Sequence, residues 1–245
     1  MNSGLYTAIT GLRAQSEALD IISNNLANVN TTGFKEDNAF FTLLDESMNS
    51  NGNGSPIDSA INRPVQTGKT LNTAGSSFTF TNRDLDVALE GDGFLAVSTP
   101  QGVRYTRNGS LHLNPQSVLT TSDNNPVLGA SGTPITLGSG KIQINTDGEV
   151  SLENSRVDRL KIVTFDKMST LEKQGNSLFR VKGDQASERP SSATVKSGYL
   201  ETSNVNPVAS LVHMVSIMRQ FESIQKSVSL LMNDINAKAI EKLGK

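Results

Sequence analysis

Several short segments carry residue types that could do chemistry, and the first resembles a calcium-binding loop. The segment QINTDGEVSLEN, residues 143–154, has Asn, Asp and Gly at suitable inner positions, but Gln143 and Asn154 stand first and twelfth. The bidentate carboxylate that such a loop needs at its last position is therefore missing. Since Asp147-Gly148 is a strong hairpin-turn signal, we expect a β-hairpin over 141–153 instead.

A second segment, LGSGK at 137–141, resembles part of a phosphate-binding loop. The full pattern of such a loop is G-x-x-x-x-G-K followed by Ser or Thr, with its second glycine directly before the lysine. This chain has Ile135 in place of the first glycine and Ile142 in place of the Ser or Thr. We therefore expect an ordinary loop that leads into a strand.

The titratable residues give no catalytic pattern. The only two histidines, His112 and His213, have no acidic or histidine neighbour at metal-ligand spacing. Glu90 and Asp92 could form a carboxylate pair, but they flank glycines in LEGDGF and fit a turn better. The sequence thus predicts no catalytic, cofactor-binding or metal-binding residue, and it does not indicate an enzyme.

Composition excludes further classes of protein. The 245 residues include no cysteine, carry a net charge of −2 and are 36% hydrophobic. Disulfide frameworks and thiolate sites are therefore absent, and no basic block favours nucleic acid as a partner. No apolar run is long enough to insert in a membrane. The N-terminus lacks the pattern of a secretory signal, so we expect any export to occur without cleavage.

The two ends of the chain have helical periodicity. Leu5, Leu12, Leu19 and Leu26 are seven residues apart, which predicts a helix over about Gly4–Val29 that packs along another helix. At the other end, Asn206 and Pro207 mark the start of a second helix, predicted over Pro207–Leu243. This second helix is apolar over a wide arc and is longer than the first, which favours contacts between molecules over a purely internal pair.

The middle of the chain alternates with a period of two, which predicts strands. Its clearest hairpin places Ile142 and Ile144 opposite Val150 and Leu152. Polar segments rich in Asn, Gly and Ser flank this region, and their composition suggests extended connectors. We therefore expect an α+β multidomain fold: terminal helices paired as a coiled-coil stalk, extended β-rich connectors and a central all-β domain. The corresponding boundaries are 1–30 and 207–245 for the helices, 31–82 and 184–206 for the connectors, and 83–183 for the β domain.

Four segments resemble the signature segments of bacterial flagellar axial proteins, the family of rod and hook subunits. They occur in the order that this family shows: NNLANVNTTGFK (24–35), DLDVALEGDGFLAV (84–97), YTRNGSL (105–111) and SGYLETSNVNP (197–207). The resemblance extends over essentially the whole chain and is greatest to the proximal-rod members. Distal-rod and hook-type members are close alternatives, and the Asn/Gly-rich stretch Asn49–Asn53 departs from both rod types.

The resemblance implies a structural subunit without a cofactor. Such a subunit would leave the cell unprocessed through the flagellar type III export apparatus. It would then polymerise with other copies and other rod proteins into a helical tube in the periplasm, the drive shaft that transmits torque from motor to hook. The alternative from a different class is a secreted β-domain binding protein with a helical stalk, which would need a ligand pocket or a titratable cluster in the β domain.

Two sets of residues are expected to carry this function. One is the assembly interface, made of apolar helix positions that would be buried when copies assemble: Leu5, Leu12, Leu19, Ile22, Leu26, Leu211, Met214, Met218, Phe221, Val228, Met232 and Ile235. The other is a collar of family-signature residues that would stop the first helix and start the second: Asn24, Asn25, Asn28, Gly33, Phe34, Ser203, Asn204 and Asn206.

Overall fold

Two helices lie at the ends of the chain in the structure, a computed structural model that describes residues 2–43, 65–138, 140–166, 170–182 and 188–243. Helix α1 spans Asn2–Ala27 and helix α2 spans Pro207–Leu243. The prediction for α2 is confirmed at both ends, and α1 begins and ends two residues earlier than predicted. The Asn206 side-chain oxygen accepts hydrogen bonds from the amides of Val208 and Ala209, both at 3.1 Å, which explains the sharp start of α2.

Between the helices, the described residues form seventeen strands, most of them short. They are β1 Asp37–Leu43, β2 Val65–Leu71, β3 Phe78–Phe80, β4 Val87–Glu90, β5 Phe94–Thr99, β6 Gly102–Thr106, β7 Leu111–Leu113, β8 Leu119–Thr121, β9 Ile142–Ile144, β10 Glu149–Leu152, β11 Ser155–Arg159, β12 Ile162–Phe165, β13 Leu171–Lys173, β14 Leu178–Val181, β15 Glu188–Pro190, β16 Thr194–Ser197 and β17 Tyr199–Glu201.

The chain divides into two compact units. The first, here called the helical unit, comprises Met1–Ala27, Asp37–Thr70 and Asn206–Lys245, and it contains both helices and the β1–β2 pair. The second, the β unit, comprises Asn28–Glu36 and Leu71–Val205. The Asn49–Asn53 stretch lies outside the described residues.

The β unit is built on a six-stranded antiparallel sheet with the order β13-β14-β6-β5-β12-β15. One core lies around Phe94, Tyr105 and Phe165, whose rings pack edge-on or tilted. A larger aliphatic core combines Leu95 of β5 with side chains from segments outside this sheet, among them Leu111, Leu119, Val127 and Val150. These two cores fix the positions of the loops that carry the site described below.

The predicted hairpin is confirmed. Strands β9 and β10 pair with Ile144 opposite Val150 and Ile142 opposite Leu152. The turn between them closes with a hydrogen bond of 3.0 Å from the amide of Gly148 to the carbonyl of Asn145. The calcium-loop pattern in this segment is therefore part of a tight β turn.

The predicted fold class is wrong. The chain is predominantly β, and the segments expected to be extended connectors contain paired strands: β17 pairs with β3, and β16 pairs with β4. Composition suggested connectors because these segments are polar, but pairing between distant segments satisfies their backbone hydrogen bonds and buries Val195 completely.

The coiled-coil stalk also fails as a description of α1. Its most buried side chains are Ala14 and Ala18, whereas the described leucines of its seven-residue repeat are half-buried. The β1–β2 pair lies against α1 as well, because Thr67 donates a hydrogen bond of 3.2 Å to the carbonyl of Ala14. Helix α1 thus packs among helix and strands, and a two-helix seam does not account for its burial.

Candidate functional site

The segment after α1 makes a tight turn that ends the helix. The amide of Thr31 donates to the carbonyl of Asn28 at 3.1 Å, and the Thr31 hydroxyl donates to the Asn28 side-chain oxygen at 3.1 Å. The amide of Phe34 donates to the carbonyl of Thr31 at 3.2 Å. Asn28 thus takes part in the turn that follows α1 through both its carbonyl and its side chain.

Gly33 occupies the one position of this turn that excludes a side chain. Its φ of 66° lies in the left-handed region, and a Cβ atom there would meet the carbonyl oxygen of Arg107 at 2.5 Å. The amide of Gly33 donates to the carbonyl of Glu201 at 2.8 Å. Glycine is thus required both by the backbone conformation and by the close approach of another chain segment.

A buried ionic triad lies directly beside this turn. Glu201 is 1% exposed and accepts from the amino group of Lys35 at 2.6 Å and from the guanidinium group of Arg107 at 3.2 Å. The hydroxyl of Ser76 adds a hydrogen bond of 3.1 Å to the same carboxylate. Each ion therefore has an opposite charge at contact distance, as a buried charge requires.

Backbone carbonyls complete the environment of the two cations. Lys35 donates to the carbonyl of Ala74 at 2.8 Å, while Arg107 donates to the carbonyls of Leu89 at 3.2 Å and Gly91 at 2.7 Å. The guanidinium carbon of Arg107 also lies 5.3 Å from the ring centroid of Phe94. These contacts hold each cation in one orientation.

Burial lowers the pKa of the Lys35 amino group below its ordinary value of 10.5. The hydrogen bond to Glu201 and the charge of that carboxylate act in the opposite direction and favour the protonated amine.

A second, polar layer joins the same segments. The side-chain oxygen of Asn204 accepts from the amide of Glu36 at 2.7 Å, and its side-chain nitrogen donates to the carbonyl of Asn72 at 3.0 Å. Asn72 in turn donates to the carboxylate of Glu36 at 2.7 Å. We call the triad and this layer together the clasp; it consists of Gly33, Lys35, Glu36, Asn72, Arg107, Glu201 and Asn204.

The clasp lies where the chain enters and leaves the β unit. The chain passes between the units after Ala27, Glu36, Thr70 and Val205. The three β-unit segments that flank these crossings, 28–36, 71–76 and 198–205, are those that the clasp ties together. Every covalent connection of the β unit to the helical unit is therefore anchored within a few residues of one buried cluster.

The predicted collar residues have different roles in the structure. Asn25 is buried and pairs with the backbone of Asp37, donating at 2.8 Å and accepting at 3.1 Å, so it fixes the start of β1. Phe34 is buried with the amino group of Lys173 4.1 Å from its ring centroid. Ser203 accepts from the amide of Val205 at 3.3 Å, whereas Asn24 is exposed. Asn204 does not cap α2 but bridges the clasp.

Sequence reasoning missed the charged members of the clasp. Lys35, Arg107 and Glu201 all lie within the quoted signature segments. Lys35 is 166 residues and Arg107 is 94 residues from Glu201, so the sequence does not reveal that they pair. The available signal was the type of residue. Each is a charged side chain at a strand end or turn within a largely uncharged segment, where a partner is needed if the side chain is buried.

The apolar residues of α2 divide between two faces of the helix. Met214, Phe221 and Val228 are half-buried, as are Ile217 and Ile224. A different set is exposed near the start of the helix, at i, i+3, i+4 and i+7 spacing with one further member. This set, the α2 patch, comprises Val208 (69% exposed), Leu211 (48%), Val212 (62%), Val215 (49%) and Met218 (47%).

The predicted interface residues are distributed accordingly. Leu211 and Met218 belong to the α2 patch, and Met232, at 44% exposure, lies further along α2. Leu12, Leu19, Ile22 and Leu26 on α1 are half-buried. The side chains of Leu5 and Ile235 lie outside the described part of the structure. Two facing helices thus leave a considerable amount of apolar surface uncovered in the single chain.

The described residues contain no group of three or more His, Cys, Asp or Glu side chains placed to hold a metal ion. Within the same residues, neither helix combines the length and the apolar character needed to cross a bilayer. His112 contacts Thr120 and Asn124 at 3.2 and 3.3 Å, and His213 is exposed on α2.

Three family models match successive parts of the chain. Residues 5–35 match the model described as flagella basal body rod protein, and residues 88–152 match the D1 domain of the flagellar hook protein FlgE/F/G. Residues 196–230 match the C-terminal model of the flagellar basal body rod FlgEFG proteins. The first match contains the turn after α1 and Lys35, and the third contains Glu201 and the whole α2 patch.

Whole-chain relatives agree with these models. The flagellar basal-body rod protein FlgF of Caulobacter vibrioides is 34% identical and covers 100% of this chain and 99% of its own length. FlgF of Escherichia coli is 34% identical, with 94% of each chain covered, and FlgG of Buchnera aphidicola from Schizaphis graminum is 34% identical over 94% of this chain and 95% of its own. The resemblance to rod proteins is thereby confirmed, and the chain belongs to the flagellar basal-body rod family that includes FlgF and FlgG.

Proposed function

We propose that this chain is a structural, non-catalytic subunit of the bacterial flagellar basal-body rod and polymerises through its terminal helices. The observation that carries the proposal is the α2 patch, in which Val208 and Val212 leave most of their surface in contact with water. A contiguous exposed apolar row on a helix marks an interaction surface. Residues 1–30 and 207–245 of each subunit form the tube, in which copies of the chain and other rod proteins cover the α2 patch.

The clasp fits the mechanical part of this function. A drive shaft transmits torque between the tube and the parts of each subunit outside it, and in this chain the four covalent crossings between the units carry part of such a force. Because the clasp ties the segments flanking all four crossings into one buried cluster, a pull on one segment is shared by the others. Side-chain and backbone hydrogen bonds, a buried carboxylate and two cations resist that pull together.

The relatives named FlgF support a place in the proximal rod, and those named FlgG make the distal rod the second candidate. We further propose that the chain reaches the periplasm through the flagellar type III export apparatus without cleavage. Terminal helices that need neighbours for their burial suit passage through a narrow channel, because such helices are marginally stable alone.

Electron microscopy of basal bodies tests the proposal. Cells that lack this protein should have rods that stop short, and the wild-type chain should restore full rods and motility. Met218→Asp should restore neither, because a carboxylate on the α2 patch opposes burial, yet its β unit should fold normally by near-ultraviolet circular dichroism.

Ser216→Asp is the matched control, since it adds the same charge to an exposed position of α2 outside the patch. It should support normal rods. Complete rods in the deletion strain would show that the chain is not a rod subunit. Normal rods with Met218→Asp would instead show that the α2 patch is not an interface.

A further inference from the structure

Strand β3 of the β unit has one paired edge and one open edge. The carbonyl of Ser77 and the amide of Thr81 bond to the segment that carries β17, at 2.9 and 2.8 Å. Because bonded and non-bonded positions alternate along an antiparallel pair, Thr79 also bonds to β17, and the backbone groups of Phe78 and Phe80 point away from it. Within the described residues β3 pairs with β17 alone, so these outward backbone groups have no strand beside them.

Other edges of the β unit carry residues that discourage pairing with a further strand. The six-stranded sheet ends in β13 and β15; β13 includes Glu172 and Lys173, and β15 consists of two charged residues and Pro190. Charged side chains and proline are the usual protection of an open edge. Strand β3 lacks this protection, because residues 70–82 contain no Asp, Glu, Lys, Arg or Pro.

Aromatic side chains accompany the open edge. Phe80 is 61% exposed, and its ring centroid lies 5.1 Å from that of Tyr199, which stands opposite it on β17. A residue placed opposite Phe80 on an added strand would have its Cβ atom about 5 Å away, a distance at which aromatic and β-branched side chains pair favourably. The edge thus offers side-chain contacts in addition to hydrogen bonds.

A cleft of about 850 Å³ adjoins the same strand pair and indicates the charge of an occupant. Phe78 and Tyr199 contribute to its lining. Its charged lining residues, Asp147, Glu149 and Lys196, each lie within 3.3 Å of an opposite charge of the β unit. Since these charges are already neutralised, the cleft suits an uncharged occupant.

We propose that the open edge of β3 binds an extended, uncharged strand of another polypeptide, which continues the β17–β3 pair as a third strand. Outward backbone donors and acceptors recognise a peptide backbone, so a strand fits this edge better than a ligand without one. Side chains of the added strand lie opposite Phe78 and Phe80, and the one opposite Phe78 lies at the cleft. This contact uses the β unit and is separate from the packing of the terminal helices.

A strand peptide tests the proposal on the isotope-labelled full chain. The probe is acetyl-Ser-Thr-Val-Thr-Val-Thr-Ser-amide, and NMR records the hydrogen exchange of the β3 amides with and without it. The amides of Phe78 and Phe80 should exchange rapidly in the free chain and slow by about tenfold or more when the peptide is bound. The amide of Thr79 should exchange slowly in both states, because it already bonds to β17.

Methyl groups on the peptide nitrogens distinguish strand addition from side-chain binding alone. N-methylation of both valines, whose amides would face β3, should weaken binding by about tenfold or more, because two hydrogen bonds are lost. N-methylation of two threonines, whose amides would point away, should leave the affinity unchanged. Phe80→Lys should abolish binding, whereas Val103→Lys, the same change at a 42% exposed valine of β6, should not.

Absence of binding at millimolar peptide would overturn the proposal, and so would equal affinities of the two methylated peptides. Dimerisation of the free chain that Phe80→Lys abolishes would assign the edge to a second copy and would also overturn it. Binding of chitotetraose at the same amides, without binding of the peptide, would show that the cleft takes a glycan instead. Each of these results would leave the proposed rod function intact, because none involves the terminal helices.

Discussion

Glu201 is the residue on which the clasp depends most. Its carboxylate accepts hydrogen bonds from Lys35, Arg107 and Ser76, while its backbone carbonyl accepts from the amide of Gly33. No other described carboxylate joins two buried cations. Removing this one negative charge would leave Lys35 and Arg107 facing each other without compensation.

We therefore expect Glu201→Gln to lower the free energy of unfolding by about 3–5 kcal/mol, the range found when a buried ion pair loses one partner. Urea denaturation of the β unit within the full chain, followed by near-ultraviolet circular dichroism, measures this. Glu172→Gln is the control, because Glu172 also pairs with two cations, Arg180 and Lys182, but at the surface. Equal effects of the two substitutions would contradict the assigned role of the triad.

For single residues, the sequence identified the segments that form the clasp but not which side chains bond to each other. Asn206 as the first cap of α2 follows from its type and from Pro207, because capping is local. Asn204, two residues earlier, has the same side chain but bridges Glu36 and Asn72, residues more than a hundred positions away. A local rule cannot distinguish these two asparagines, since only the folded chain brings the distant partners together.

Among the elements, the turn at 28–34 is the most constrained connection. This turn follows α1, lies against the backbone of Arg107 and places Lys35 in contact with Glu201. Both the positive φ of Gly33 and the approach of the Arg107 carbonyl restrict it. The two restrictions can be separated by experiment, because Gly175 has a φ of 89° but no atom within 4 Å of a built Cβ.

Gly33→Ala and Gly175→Ala should both destabilise the chain through the left-handed backbone, by about 1–2 kcal/mol each. Gly33→Ala should cost about 1–3 kcal/mol more, because its methyl group must displace a packed backbone carbonyl. Thermal and urea unfolding of the two variants side by side measure the difference. Equal stability of the two variants would show that the turn can accommodate a methyl group at position 33, which would contradict the close approach of the Arg107 carbonyl.

The elements also show where sequence reasoning succeeds. Helix α2 and the β9–β10 hairpin were predicted to the residue or the pair because their signals are short-range: a cap with proline, and an Asp-Gly turn between alternating residues. The pairing of β17 with β3 was missed because strands more than a hundred residues apart leave no local signal of each other in the sequence. Heptad leucines on α1 indicated a helix correctly but did not reveal that Ala14 and Ala18 are the buried face.

At the scale of the whole molecule, the β unit and the helical unit differ in how completely they are closed. The β unit has two buried cores and a buried ionic cluster. The helical unit leaves Ile9, Val208, Val212 and Leu230 more than half exposed. We therefore expect the β unit to be stable by itself and the burial of the helical unit to depend on neighbours, an arrangement that suits a polymerising subunit.

Hydrogen exchange measured by mass spectrometry on the dilute monomer and on assembled rods tests this central claim most directly. We predict that amides of residues 2–27 and 207–243 exchange rapidly in the monomer and become protected in rods. The amides of Gly33 and of the β-unit strands should be protected in both states. Terminal helices that are as strongly protected in the dilute monomer as in the rod would contradict the account, because their apolar surface would then be satisfied within a single chain.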